Sequence, residues 1–126
     1  MRRKSNPIVY VEIPVDDLGR AIGFYQAVFG FDFEQEVIDH NEMGLFPFSD
    51  EYSGISGALA KGEIYHPTRD GAVVYFATDD IDETLRRAIA NGGQLLYPKT
   101  SIGSRGFVAE FEDSEGNRIA LHQPAD

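Results

Sequence analysis

The sequence predicts an α+β fold made of two tandem β-α-β-β-β units, and three observations predict it. An internal repeat comes first: the pattern of Ile8-Val9-Tyr10-Val11-Glu12-Ile13-Pro14-Val15-Asp16-Asp17-Leu18 returns 63 residues later as Gly71-Ala72-Val73-Val74-Tyr75-Phe76-Ala77-Thr78-Asp79-Asp80-Ile81. Each copy is an alternating apolar segment that meets an Asp-Asp pair and then an aliphatic residue. A stripe of apolar residues at helical spacing follows each pair. Short strand-like segments separated by turn residues follow each stripe.

The elements can be justified in chain order. Asp is a favoured N-cap, because its carboxylate accepts from the free amides of the first turn and suits the positive end of the helix dipole. The first helix then carries Leu18, Ile22, Tyr25 and Phe29, and the second Ile81, Leu85 and Ile89. Each stripe must face a sheet. Gly30 and Gly93 stand at the helix ends, where glycine supplies a left-handed cap. Strands are expected over 33–38, 43–48 and 55–60 in the first unit, and over 94–97, 107–112 and 118–123 in the second. Asp39-His40-Asn41 and Ser49-Asp50 are turn segments. Asp113-Ser114-Glu115-Gly116-Asn117 joins the last two strands as a hairpin. Lys61 to Asp70, with Pro67, reads as the linker. The expected organisation is one domain over 1–126, with internal units 7–62 and 71–124, since neither unit could readily bury its own sheet face.

Composition narrows the function classes. Of the residues, 42% are apolar, including nine Phe and six Tyr, which argues for a packed core rather than disorder. With no cysteine, disulfides, thiolate zinc sites and cysteine nucleophiles are excluded. A formal net charge of −10 repels nucleic acid and anionic membrane, and the one basic cluster is Arg2-Arg3-Lys4. No apolar run is long enough to span a bilayer, and no signal-peptide core follows the basic cluster, so the expected location is cytoplasmic. The acidity serves solubility; it would also attract a cationic ligand.

From Val15 through Tyr25 to Phe29-Gly30-Phe31, then from Asp79-Asp80-Ile81 to Gly92-Gly93, and finally at Asp113 to Asn117, the chain resembles the vicinal oxygen chelate superfamily. That superfamily holds glyoxalases, bleomycin-resistance proteins and extradiol dioxygenases. The family usually has Pro where Ser114 stands. The resemblance implies cupped mixed sheets with helices on their outer faces and a pocket in each cup. It also implies that metal-dependent members carry His, Glu or Gln on the first and last strand of each unit. Here those positions fall on Tyr10, Val73, Ala120 and the Ser56-Gly57 region. Such residues cannot hold a divalent metal well, so no metal and no cofactor is expected, and the chain reads as a glyoxalase-related form without the usual ligands.

Strand parity selects the other pocket candidates. If Tyr10 points inward, so do Ile8, Glu12 and Pro14, while Val9, Val11, Ile13 and Val15 face the helix. In the second unit Val73, Tyr75 and Ala77 point inward. Pairing Glu112 with Arg118, Glu110 with Ala120 and Val108 with His122 puts Glu110 and His122 on the same face. The expected ligand-binding residues are Tyr10, Glu12, Tyr75 and His122, and the candidate catalytic carboxylates are Glu12 and Glu110. Tyr10 and Tyr75, read as counterparts in the two units, are placed to clamp a planar ligand. His40 in its turn and His66 in the linker read as exposed. Gly103-Ser104-Arg105-Gly106 could form a lid or a small anion contact.

Three functions remain open at this level. One is a metal-independent binder of a small organic molecule, of the bleomycin-resistance type. Another is a lyase or isomerase related to lactoylglutathione lyase, with a pocket carboxylate as base. The third is an accessory dimer. A homodimer is the expected assembly for all three, because the family commonly pairs units between chains.

Overall fold

A computed structural model describes residues 5–126; the basic cluster Arg2-Arg3-Lys4 lies outside them. The elements run β1 (Val11–Pro14), α1 (Leu18–Phe29), β2 (Glu34–Ile38), β3 (Asn41–Leu45), β4 (Gly57–Lys61), β5 (Val74–Ala77), α2 (Ile81–Ala90), β6 (Gln94–Ser101), β7 (Phe107–Glu112) and β8 (Arg118–Gln123), with a single 3₁₀ turn at Gly103–Arg105. Val74 follows Val11, and Ile81 follows Leu18, by the 63 residues of the repeat. The architecture is the expected α+β one: two mixed four-stranded sheets, ordered β1-β4-β3-β2 and β5-β8-β7-β6. In each, the first strand lies parallel to the last and the remaining pairs are antiparallel.

Both helices start as their sequences dictate. The Asp17 carboxylate accepts from the Arg20 amide at 2.9 Å, and the Asp80 carboxylate from the Glu83 amide at 3.1 Å. Helix α1 ends on Gly30 at φ 77°, a left-handed turn that favours a residue without a Cβ. The second cap differs from expectation. Gly92, not Gly93, takes the positive φ (97°). Gly93 is needed instead for close packing, since a Cβ there would come within 2.8 Å of the Glu112 carbonyl.

Strand ends differ for identifiable reasons. Asp39 and His40 both adopt positive φ in a two-residue turn between paired Ile38 and Asn41, so β3 starts at Asn41 rather than at 43. It stops at Leu45 rather than at 48, just short of Pro47, which has no amide to donate. The last strand of the first sheet starts at Gly57 instead of 55. Strand β6 runs on to Ser101, past register shifts around Pro98 that its edge position tolerates.

One apolar core lies between the units. It joins Ile13, Val15, Leu59 and the buried face of α1 to Ile81, Ala88, Ala109, Phe111, Ile119 and Leu121. Helix α1 buries Ala21, Phe24 and Val28 beyond its predicted stripe, because it packs on α2 as well as on its own sheet. Helix α2 turns the other way: it buries Ile81, Thr84 and Ala88, leaving Ile89 exposed. Val9, expected to face the helix, is also exposed, since it precedes the ladder that would fix its direction. Aromatic rings fill the seam between the units. Phe76 lies 4.9 Å from Phe29 and 5.5 Å from Phe46, ring centre to ring centre.

A polar network fastens the same seam. The Asp113–Asn117 hairpin of the second unit reaches back to the start of α1. There Glu115 accepts from the Asp16 and Asp17 amides at 2.9 and 2.8 Å and from the Arg20 guanidinium at 2.7 Å. The Asn117 amide donates to the Pro14 carbonyl, and the fully buried Tyr25 hydroxyl donates to Asp113 at 2.8 Å.

Candidate functional site

Each sheet has one face packed on the helices, which leaves the opposite face to carry any site. The pairing of Glu112 with Arg118, Glu110 with Ala120 and Val108 with His122 is the one the sequence predicts. Cross-strand partners share a face, so Tyr75, paired with Ala120, lies on the helix-free side with Glu110 and His122. On the first sheet Glu12 lies opposite Ala58, with Met43 opposite Ala60. The register also corrects one correspondence. The counterpart of Tyr75 is Glu12, and that of Tyr10 is Val73, so the two tyrosines are not a symmetric pair.

The predicted residues fall into two groups, one on each sheet. On the first, Tyr10 donates to Glu12 Oε2 at 3.1 Å. Tyr65, a linker residue that the repeat could not place, donates to Glu12 Oε1 at 2.6 Å. The linker thus folds back over the sheet, and Tyr65 packs with Leu45 on buried Met43, Ala58 and Ala60. Its bond to Glu12, assisted by burial and by the negative charge, pushes the Tyr65 phenol up to about 12. Tyr10 is raised too, by burial first and then by the same carboxylate. Glu12 is therefore a clamped acceptor between two phenols, and the first sheet face is largely filled.

The second sheet face is open. Tyr75, Ile102, Arg105, Val108 and His122 line a cavity of about 530 Å³. The His122 Nε2 lies 2.6 Å from the Arg105 carbonyl. A carbonyl can only accept, so Nε2 carries a proton and donates. Glu110 is ion-paired with Arg118, and Glu112 with Arg69, so the nearby carboxylates on this face are already matched. A smaller depression of about 270 Å³ lies by Arg20, Phe24 and Ser114, but Arg20 and Ser114 are committed there to Glu115. His40 and His66 are exposed, as their turn and linker positions suggest.

The positions that would hold a family-type metal do not fit one. The Tyr10 hydroxyl is spent on Glu12, Ala120 offers a buried methyl, and the backbone of Gly57 is pressed against Val11, where a Cβ would meet the Val11 carbonyl oxygen at 1.8 Å. Among the described residues no three of His, Asp and Glu converge as a metal-holding group. What the site residues offer is an aromatic and apolar surface with a few fixed polar groups, which is the chemistry of binding.

Comparison with known proteins agrees with the fold. A Glyoxylase-like domain-containing protein of Didymella fabae is 30% identical over 115 residues, which is 88% of each chain. TnmS3, an antibiotic binding protein from Streptomyces sp. CB03234, superposes with a TM-score of 0.68 at 23% identity, covering 98% of this chain and 100% of that one. Glyoxalase I from Zea mays gives a TM-score of 0.68 at 19% identity, with 93% of this chain covered. This chain spans only 46% of the length of that enzyme. Residues 7–121, nearly the whole repeat, match one family, so the chain belongs to the Glyoxalase/Bleomycin resistance protein/Dioxygenase superfamily.

Proposed function

We propose that this protein binds a small organic molecule on the helix-free face of its sheets, without a family-type metal, as a cytoplasmic homodimer. The observation that carries the reading is the open cavity of about 530 Å³ at Tyr75, Ile102, Arg105, Val108 and His122. That size lies within the range of pre-formed small-molecule sites, and so does its mix of apolar wall and sparse polar groups. Tyr10 and Glu12 belong to the same reading as a second, more filled contact surface. Exposed Ile8, Val9 and Val73, beside the first strands of the two sheets, support pairing between chains. No helix among the described residues is long and apolar enough to cross a membrane.

A lyase or isomerase reading rests on Glu12 or Glu110 as base, and the geometry supports it less. Both Glu12 oxygens already accept from phenols, and Glu110 is held by Arg118. A carboxylate so engaged has fewer free lone pairs with which to take a proton. Thermal-shift screening of the purified protein against small organic compounds tests the binding reading. A ligand present at a hundred times its Kd should stabilise by about 2.7 kcal/mol, a shift of several degrees. If no compound in a chemically broad set gives saturable stabilisation, the reading fails.

A further inference from the structure

Six arginines lie among the described residues, and five of them are committed to carboxylates. Arg20 pairs with Glu115, Arg69 with Glu112, Arg86 and Arg87 with Glu83, and Arg118 with Glu110. Among the described residues Arg105 makes no ion pair, and it is the one arginine that lines the open cavity. A chain of net charge −10 has carboxylates in excess, so an arginine left without one is a departure from the surface pattern. The acidic residues on that sheet face, Glu110 and Glu112, are neutralised by Arg118 and Arg69. The cavity is therefore locally cationic within an acidic protein.

The loop that carries Arg105 is fastened to the sheet. The Ile102 amide donates to the Gly106 carbonyl at 2.8 Å, and the Gly106 amide to the Gly103 carbonyl at 3.1 Å. Gly106 is buried at φ 104°, and a Cβ there would come within 2.1 Å of the Gln123 carbonyl oxygen. His122 closes the remaining gap through its bond to the Arg105 carbonyl. The backbone at Arg105 is thus set before any ligand arrives, which lowers the ordering cost of binding. The same cavity is lined by Ile102, Val108 and Tyr75, apolar and aromatic residues.

We infer that this cavity selects a carboxylate-bearing molecule with an apolar or aromatic body, its carboxylate taken by Arg105 and its body by Ile102, Val108 and Tyr75. The inference rests on the small-molecule reading above and adds the class of ligand. A guanidinium presents a planar fork of donors that matches a carboxylate, and a single fork suits a single negative charge. With the cavity carboxylates absent or paired, a cationic ligand would find no counter-charge there.

Benzoate, benzyl alcohol and benzylamine share a ring and differ in charge, so titrating the protein with each, followed by calorimetry and by the NMR signals of His122, tests the class. Benzoate should bind at least about tenfold more tightly than the other two, and added salt should weaken it. Arg105→Gln should abolish that preference while leaving the melting temperature of the free protein unchanged. Arg105→Lys keeps the charge without the fork and should retain part of it. Equal affinity for benzoate and benzyl alcohol, or a preference for benzylamine, overturns the carboxylate inference and leaves the small-molecule reading standing. If none of the three moves the His122 signals and a broad compound set gives no saturable binding, both fall.

Discussion

The contact between Tyr25 and Asp113 gives a sharp test of what joins the two units. Replacing Tyr25 by Phe keeps the ring, its stacking on Phe29 at 5.9 Å and its edge contact with Phe24 at 5.6 Å, and removes one oxygen. That oxygen donates to Asp113 Oδ2 at 2.8 Å in a fully buried setting. After the change Oδ1 still accepts from the Glu115 and Asn117 amides, at 2.8 and 3.0 Å. Oδ2 keeps only the Asn117 side-chain amide at 3.1 Å. Loss of one hydrogen bond to a charged buried acceptor costs roughly 1.5–3 kcal/mol. With a urea m-value of about 1–3 kcal/mol per molar, the midpoint should fall by about 1 M at unchanged m. Chemical denaturation at neutral pH, followed by circular dichroism, measures it. A penalty under about 0.5 kcal/mol would show that the hydroxyl is dispensable and that the seam is held by packing alone.

Other perturbations follow from the same geometry. Burial raises Tyr25 well above the usual phenol range, with Asp113 adding to the effect, so the folded chain keeps that proton where the unfolded chain releases it. Stability present below about pH 10 should be lost as pH rises further, and Tyr25→Phe should flatten that alkaline slope in equilibrium unfolding. Burial works to raise Glu115, but Arg20, the Asp17 and Asp16 amides and Ser114 together hold it below the usual carboxylate range. Its contribution should persist above about pH 4.3 and disappear as pH falls through the lowered value, and an acid titration of Glu115→Gln should lack this component. Glu12→Gln should bring Tyr65 down from about 12 towards the ordinary phenol value of about 10, read by spectrophotometric titration. An unchanged Tyr65 would mean that Glu12 does not hold it. Gly57→Ala should destabilise by more than about 3 kcal/mol in thermal unfolding, because its Cβ would collide with the Val11 backbone that β1 pairs through.

Much of the fold could be read directly because repeat, caps and periodicity agreed. The Asp17 and Asp80 caps, the Gly30 end and the register of the last hairpin all follow from local chemistry. What departs from that reading is tertiary. Ile89 fits an apolar stripe, yet α2 buries Thr84 and Ala88 instead, a rotation set by the elements it packs against. On the site, parity placed Glu12, Tyr75, Glu110 and His122 on the helix-free faces, because strand alternation is strict. It could not show that Glu110 is tied to Arg118, since that depends on where a neighbouring strand puts its side chain. Tyr65 was invisible for a different reason. It sits in the linker, which has no counterpart in the repeat, and nothing in a turn-rich segment says which sheet it will fold over. Arg105 was legible only as part of a glycine-flanked segment fit for an anion contact. Its lack of a carboxylate partner is a fact of three dimensions.

The hairpin that ties the second unit to α1 also sets an order of events. Its bonds join residues 88 to 103 positions apart, from Tyr25 with Asp113 to Pro14 with Asn117. Among the described residues nothing reciprocal fastens the first unit's loops to the start of α2, whose Ile81 amide is met instead by Gln123 of its own unit. The two copies have therefore ceased to be equivalent. During synthesis the Tyr25 hydroxyl and the Asp16 and Asp17 amides can have only water in place of these partners until residues 113 to 117 follow. A ring this long is slow to close by diffusion, so the second copy acts as the late-arriving clasp on the first.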